Sequence, residues 1–428
     1  MGLTLSRIRL GDRTVMVSAP NVRQYGHLAL EILMTLGDAK DEGADVFFVY
    51  PRGIPGEALF ELESPDVRVL HPNAIGLRLL RSRIAIQELS NRFDKWREEF
   101  GERWSREWRR EISTYVADER IPVSVRVSLR GIRQDRDGAL KALGAERAER
   151  PSYFRRALLR RRLPIRLRPA AAAAVEAQAR AAGIPLDAPL VCLHARESGY
   201  KAGQEMQDTK PQSGRDDRAR NARIESYLAA ADLLRDKGYT LVRVGDPSMT
   251  PVRHPGVVDL ATHPGRTNLL EIYCALRSDF MIAGESGLQG VVYLTNTPLL
   301  TVNATEPISA YPIRAPGLFM TKAVIDKRLG RRLSERELLT EEYQRHLRNT
   351  RRYVYIDNTP DEIVAGVEEM LLYLKGEWVE SAAQNEYHAA IMAAAADLKS
   401  RLVYVRKWGL DGDFLGDGRM ARVCAERQ

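Results

Sequence analysis

Short apolar runs alternating with helix-patterned stretches restrict this chain more than any other feature. Residues 190–194 (LVCLH), 240–244 (TLVRV), 280–283 (FMIA) and 299–302 (LLTV) read as strands buried on both faces. Between the first two, Ile224, Tyr227, Leu228, Ala231 and Leu234 follow the helical period and Gly238 stops the helix. Residues 268–277 read as a helix capped by Asn268, and 287–294 as another. A further strand at 353–356 (YVYI) precedes Thr359-Pro360-Asp361-Glu362, a capping box with Pro at N1. The helix it opens has the apolar face Ile363, Val367, Met370, Leu371 and Leu374. Such alternation predicts an open parallel α/β sheet, in which ligands bind beyond the carboxyl ends of the strands.

The first half repeats the pattern once. A strand at 15–18 is followed by the loop NVRQYGH, a helix with Leu28, Ile32, Leu33 and Leu36 on one face, and a strand at 45–50. This is a βαβ unit, and its strands pair in parallel. Residues 81–150, with Trp96, Trp104 and Trp108, are dense in charge and read as helical around one strand at 122–128. Residues 169–183 form an Ala-rich helix that closes this half. At about 100–200 residues per domain, the 428 residues divide into two or three. The expected division is an N-terminal domain over 1–185, a C-terminal domain over 186–375 and a helical extension over 376–428.

Composition excludes several classes. A hydrophobic fraction of 44% supports real cores, and an aromatic fraction of 7% argues against base stacking. The net charge of +8 raises nucleic acid as a partner, but no helix-turn-helix, zinc or RNP signature accompanies it. From Arg155 to Arg168 the chain carries seven arginines and no acid, which makes either a solvated face or a peripheral contact with anionic lipid. Cys192, Cys274 and Cys424 are far apart and suggest neither a disulfide framework nor a zinc site. No secretory leader and no membrane span is read, and an Ala/Arg-rich composition suggests a bacterial, cytoplasmic protein.

The strand ends carry the chemistry. His194-Ala195-Arg196 puts an imidazole and a guanidinium on one side of an extended segment, and an arginine there can clamp a diphosphate. Arg196 and Glu197 could instead form a surface pair. Gly245, Asp246 and Ser248 follow the next strand and suit either a ribose or an ordinary turn. Glu285, Ser286 and Gly287 open the helix after 280–283, where backbone N–H groups and a hydroxyl would cradle phosphate. Residues 201–221 are long and polar, and Tyr200, Lys201, Arg220 and Asn221 are candidates for a loop over the site. Asp216 and Asp217 belong to the same stretch. In the first half, His27 near a helix start could take a proton from a hydroxyl, and Glu31 lies one turn further on. No metal-ligand cluster is read; Asp411-Gly-Asp413 lies beyond the α/β half. No Walker loop and no Gly-x-Gly-x-x-Gly occurs.

HARESGYK, Arg220-Asn221, VRVGDPS and SDFMIAGESGLQGVVYLTNTP resemble the bacterial glycosyltransferases of surface-carbohydrate loci. They are more distantly similar to protein O-fucosyltransferases and nodulation-type fucosyltransferases. The resemblance covers residues 186–305 and extends to 21–31. It implies the GT-B fold, two Rossmann-like domains facing across a cleft, with a nucleotide-sugar donor on the C-terminal one. It implies that Arg196 binds the donor diphosphate, with Ser286 and Gly287 on the phosphates and Asp246 near the nucleoside. It implies no metal and no cofactor beyond the co-substrate. The fucosyltransferases continue into Arg-Thr-Asp where this chain has Glu197-Ser198-Gly199, so GDP, UDP and dTDP donors all stay open. The expected activity is inverting transfer of a hexosyl or deoxyhexosyl group to a carbohydrate, lipid-linked or small-molecule acceptor. The alternative is a non-catalytic sugar- or nucleotide-binding module.

Overall fold

The computed structural model describes residues 4–10, 13–20, 25–48, 50, 54, 56–70, 163–197, 216–308, 316–402 and 418–427. The expected strand at 122–128, the three tryptophans, Tyr200, Lys201, most of the arginine run and Asp411–Asp413 lie outside them. The chain divides into two compact units, Met1–Pro151 with Arg162–Arg168, and Ser152–Arg161 with Pro169–Gln428.

In the smaller unit β1 (Thr4–Leu10) and β2 (Arg13–Ala19) pair antiparallel, and β2 pairs in parallel with β3 (Asp45–Phe48). Helix α1 (Tyr25–Glu42) makes the crossover. The sequence suggests one apolar face for α1, but Leu28 through Gly37 are all buried. Thr35 is accommodated there by donating to the Glu31 carbonyl at 2.8 Å and meeting Ser18 of β2 at 3.1 Å. Gly56 passes so close that a Cβ would lie 2.4 Å from Leu28 Cδ2. Strand β4 (Leu62–Glu63) pairs antiparallel with β5 (Arg166–Leu167), where Arg166 meets Glu63.

The larger unit holds the α/β sheet. Its strands, with the helices between them, are α2 (Pro169–Ala181), β6 (Leu190–His194), α3 (Leu228–Asp236), β7 (Thr240–Arg243), β8 (Val257–Asp259), α4 (Asn268–Arg277), β9 (Phe280–Ala283), α5 (Gln289–Thr295), β10 (Leu299–Ala304), β11 (Gly317–Thr321) and, near the C-terminus, β15 (Gly418–Met420). Every pairing in the order β15-β11-β10-β9-β6-β7-β8 is parallel. β6, β9, β10 and β11 are buried at every residue, as strands covered on both faces must be. Counted from β6, the order is 3-2-1-4-5-6-7. It reverses between β6 and β9, and that is the doubly wound arrangement.

Four expectations change. Helix α2, read as closing the N-terminal half, lies in the larger unit, with Gln178 accepting from Thr267 Oγ1. The cap of α4 is Thr267, whose hydroxyl accepts from Leu270 N at 3.1 Å, because Asn268 is taken by Arg266. The strand at 353–356 is not in the parallel sheet. It is β14 (Tyr353–Ile356), antiparallel to β12 (Ala323–Asp326), which also pairs with β13 (Arg331–Arg332). Val324, Leu333, Leu338, Tyr343, Leu347 and Tyr353 form the core beneath this small sheet. Residues 376–428 contribute β15 to the parallel sheet as well as the long α7 (Ala382–Arg401). Helix α6 (Pro360–Lys375) has the expected capping box, Pro at N1 and buried Ile363, Val367, Met370 and Leu371.

Candidate active site at the carboxyl edge of the parallel sheet

His194 ends β6 opposite Ala283 of β9, and Gly284 N donates back to the His194 carbonyl at 3.2 Å. The His194-x-Arg196 and Gly284-Glu285-Ser286 segments therefore leave the sheet side by side where the strand order reverses. The sequence-predicted residues His194, Arg196, Arg220, Asn221, Glu285 and Ser286 come together here.

Arg196 is 9% exposed and organises the chain that follows it. Its Nη1 donates to the Asp217 carbonyl at 3.0 Å and to the Asn221 side chain, while its own carbonyl accepts from Ala222 N at 3.1 Å. The short 3-10 turn Asp217–Arg220, capped by Asp216, is thereby laid on the strand end. Asn221 is further held by Lys322, which donates to its carbonyl at 2.5 Å and to Asp357 at 2.7 Å. Burial, with Arg220 adding to it, lowers the Arg196 guanidinium to about 10.

Glu285 is wholly buried and committed. It accepts from Thr305 Oγ1 at 2.6 Å, Glu306 N at 3.0 Å and Arg348 Nη2 at 3.1 Å. Arg348 also lies 3.7 Å from Asp217 and 3.9 Å from Glu306, and Arg220 pairs with Asp217 at 2.8 Å. Three guanidiniums (Arg196, Arg220, Arg348) and three carboxylates (Asp217, Glu285, Glu306) thus share one locus, buried at Arg348, Glu285 and Glu306 and partly open at Arg220 and Asp217. Glu285 serves as the anchor of this locus rather than as a free ligand group.

Around that locus polar atoms remain unmet. Ser286 Oγ, Arg220 Nε and Gln289 Oε1 are buried with no hydrogen-bond partner among the described residues. Their residues are close in the fold: Arg220 Nη1 reaches the Glu285 carbonyl at 3.4 Å, and Gln289 N donates to the Ser286 carbonyl at 3.3 Å, while Gln289 Nε2 donates to Thr301 of β10 at 3.3 Å. Leaving such a group unmet costs about 1–3 kcal/mol, so a cluster of them marks where a polar ligand or water is received. The sequence placed a helix start at Gly287. The helix begins at Gln289 and has seven residues, so Ser286 and Gly287 lie in the loop before it rather than in its first turn.

The turn after β7 is built differently. Gly245 has φ +150, and a Cβ would meet Met249 Sδ at 2.5 Å. His194 Nδ1 lies 3.1 Å from the Val244 carbonyl, which can only accept, so the proton sits on Nδ1. Burial pulls His194 down to about 4 and keeps the ring neutral. Asp246 accepts from Ser248 N at 3.0 Å and from its hydroxyl, an ordinary Asx turn. Glu271 of α4 accepts from Gly245 N at 2.7 Å, and Arg266 donates to the Gly245 carbonyl at 2.8 Å.

Glu197 does not pair with Arg196. It reaches the fully buried Arg243 at 2.9 Å, which also holds Asp259 at 3.2 Å, and it accepts from Thr250 N at 3.0 Å. Arg243, Arg266, Glu271, Lys322 and Arg348 were not singled out from the sequence. The available signal was a charge inside an apolar run, as in TLVR and NLLEIYCALR. In the smaller unit His27 is the third residue of α1 and partly buried, and Glu31 is 0% exposed. Residues 21–24 before them lie outside the described residues. No described helix is long and apolar enough to cross a membrane.

No protein-family model matches the sequence, and no curated protein does. Two solved structures are similar to it. One is E. coli ADP-heptose LPS heptosyltransferase II, at 12% identity over 67% of this chain and 83% of that chain, with a TM-score of 0.34. The other is the glycosyl transferase family 9 structure from Veillonella parvula DSM 2008, at 10% identity over 68% and 81%, with a TM-score of 0.32. At TM-scores this low neither likeness defines a fold or an activity for this chain.

Proposed function

We propose that this chain is a glycosyltransferase that moves a sugar from a nucleotide-diphosphate donor to a carbohydrate, lipid-linked or small-molecule acceptor. The observation that carries the reading is the set of unmet buried polar atoms, Ser286 Oγ and Arg220 Nε beside Arg196, at the reversal of a doubly wound sheet. Donors of that kind suit the oxygens of a diphosphate. Arg196 and Arg220 stabilise the charge that develops on the departing diphosphate, so transfer proceeds without a bound metal. Gly245–Ser248 lies at the next strand end, on the side where the nucleoside would extend. The sequence resemblance adds the sugar and the GT-B arrangement. The residues add an inverting outcome with His27 as base, and Glu31, one turn further along the helix, orienting that imidazole or serving as the base itself. His194, neutral and hydrogen-bonded to Val244, supports the turn.

A thermal-shift screen of UDP, GDP, dTDP and CMP tests the reading. A ligand at about 100 times its Kd stabilises by about 2.7 kcal/mol, so the correct nucleotide stands out. No shift with any of them removes the reading. A shift without nucleoside-diphosphate release from any nucleotide sugar and acceptor favours the binding module. His27→Ala should abolish transfer and leave nucleotide affinity unchanged; lost nucleotide binding instead would remove His27 as base.

A further inference from the structure

The peptide groups on both sides of Gly245 are gripped by one ion pair between the half-buried Arg266 and the buried Glu271. Glu271 Oε1 accepts from Gly245 N at 2.7 Å, and Arg266 Nε donates to the Gly245 carbonyl at 2.8 Å. The two side chains close on each other through Arg266 Nη2 to Glu271 Oε2 at 2.8 Å. Asn268 accepts from the same guanidinium at 3.1 Å, which fixes its plane. Glu271 is 6% exposed and comes from α4, whose other buried residues are largely apolar. A carboxylate in such a place is held at a cost in desolvation, and the contact it makes is with one turn. A bulkier residue at Gly245 would be strained at φ +150, and its Cβ would press on the Met249 side chain and His194.

We propose that Arg266 and Glu271 form a clamp that positions the Gly245–Ser248 turn for the nucleotide, setting donor affinity without touching the donor. The proposal rests on the nucleotide-sugar reading above. Both are positioning residues: Glu271 acts through the Gly245 N–H, and Arg266 through its carbonyl.

The groups facing the Glu271 carboxyl are Arg266 and Asp246 from the loops and Cys192 and Cys274 from β6 and α4. His194 stands on the other side of Gly245. Burial, partly offset by Arg266, raises Glu271 to about 7. Burial pushes Cys192 up to about 12 and Cys274 well up, and pulls His194 down to about 4, so thiols and imidazole stay neutral between pH 6 and 8.

The test uses the full chain and whichever of UDP, GDP, dTDP or CMP stabilises it, with Kd measured by calorimetry at pH 6 and pH 8. Glu271→Gln keeps an acceptor for Gly245 N–H but cannot grip Arg266 as an ion, and Arg266→Met removes the other jaw. At pH 8 both variants should bind about tenfold more weakly, a loss of one modest charged hydrogen bond. At pH 6 the Gln variant should match the wild type, because the wild-type carboxyl is then mostly protonated. The wild-type-to-Gln ratio cancels the ligand's own ionisation, and a merely structural role would not make it depend on pH. Equal Kd values in wild type and variants at pH 8 overturn the clamp and leave the nucleotide reading standing. No binding of any nucleotide by the wild type overturns both.

Discussion

The turn after β7 and the loop after β9 lie two strands apart on one sheet edge and treat polar groups in opposite ways. After β7, Val244 and Gly245 are held by His194, Glu271 and Arg266, and Ser248 by Asp246. After β9, Glu285 is saturated, but Ser286 and Gln289 bury atoms that nothing described meets. The β7 turn has its own polar groups tied down, although Arg243 Nε at the end of β7 is also buried without a partner among the described residues. The β9 loop leaves its groups unmet, which costs stability, and that is the place to look for chemistry. Residue names alone do not make this distinction: GDPS and GESG look equally like ligand turns.

The largest expected effect breaks the anchor of the β9 loop. Glu285→Ala strands Arg348 in a buried site and should cost about 3 kcal/mol, at the low end for a buried pair because Asp217 and Glu306 stay nearby. Urea denaturation measures it, and an unchanged midpoint would show that the anchor contributes nothing. Next comes Arg196→Ala, expected to lower turnover by about 10²-fold through lost stabilisation of the leaving group. Arg196→Lys should rescue little, since an ammonium is a point charge and cannot clamp diphosphate oxygens bidentately. A near-wild-type rate for the alanine variant would take Arg196 out of the site.

Ser286→Ala sharpens the comparison directly. Removing a buried hydroxyl with no partner should leave stability unchanged or slightly raised, while nucleotide affinity falls about tenfold. Asp246→Ala should do the reverse, loosening the Asx turn by about 1 kcal/mol with a smaller effect on affinity. Paired thermal melts and calorimetric titrations separate the two. If Ser286→Ala destabilises and Asp246→Ala does not, the assignment of the two edges is inverted.

How much of this was legible depended on range. β6 and β9 could be bounded from the sequence because each is an apolar run that needs no partner to be recognised. β11, β12 and β15 could not: GLFMT, AVID and GRM gain strand character only from the neighbours they pair with. The small antiparallel sheet took YVYI out of the main one for the same reason. In the site, HxR and GESG were readable as strand-end motifs. Arg348 was not, since it sits at φ +61 far along the chain and joins the site only through folding. Glu271 was read as one more helix residue, because helix periodicity says nothing about which turn lies beneath its face.

The smallest expected effect lies in the wild-type protein and comes from cancellation. Glu271 is raised by burial from 4.5 to about 7, so the folded state holds a proton that the unfolded chain has released. Its contribution to stability is fully present below about pH 4.5 and is lost as pH rises through about 7. His194 is lowered by burial from 6.5 to about 4, and its contribution has the opposite sense. That contribution is fully present above about pH 6.5 and is lost as pH falls through about 4. Between those limits one group makes stability fall with pH and the other makes it rise, each by up to about 1.4 kcal/mol per pH unit. Both brace the same turn, so the turn after β7 should be nearly indifferent to pH even though each brace is not. Urea denaturation at pH 5 and pH 6.5 should show little net change from this pair in the wild type. Glu271→Gln unmasks His194, and relative to the wild type its stability should rise with pH over that interval. His194→Gln unmasks Glu271 and should show the reverse. Reading both as differences from the wild type removes the titration of every other group. If Glu271→Gln kept the wild-type pH dependence, Glu271 would be ionised in the folded protein throughout, and the turn would rest on an ordinary ion pair.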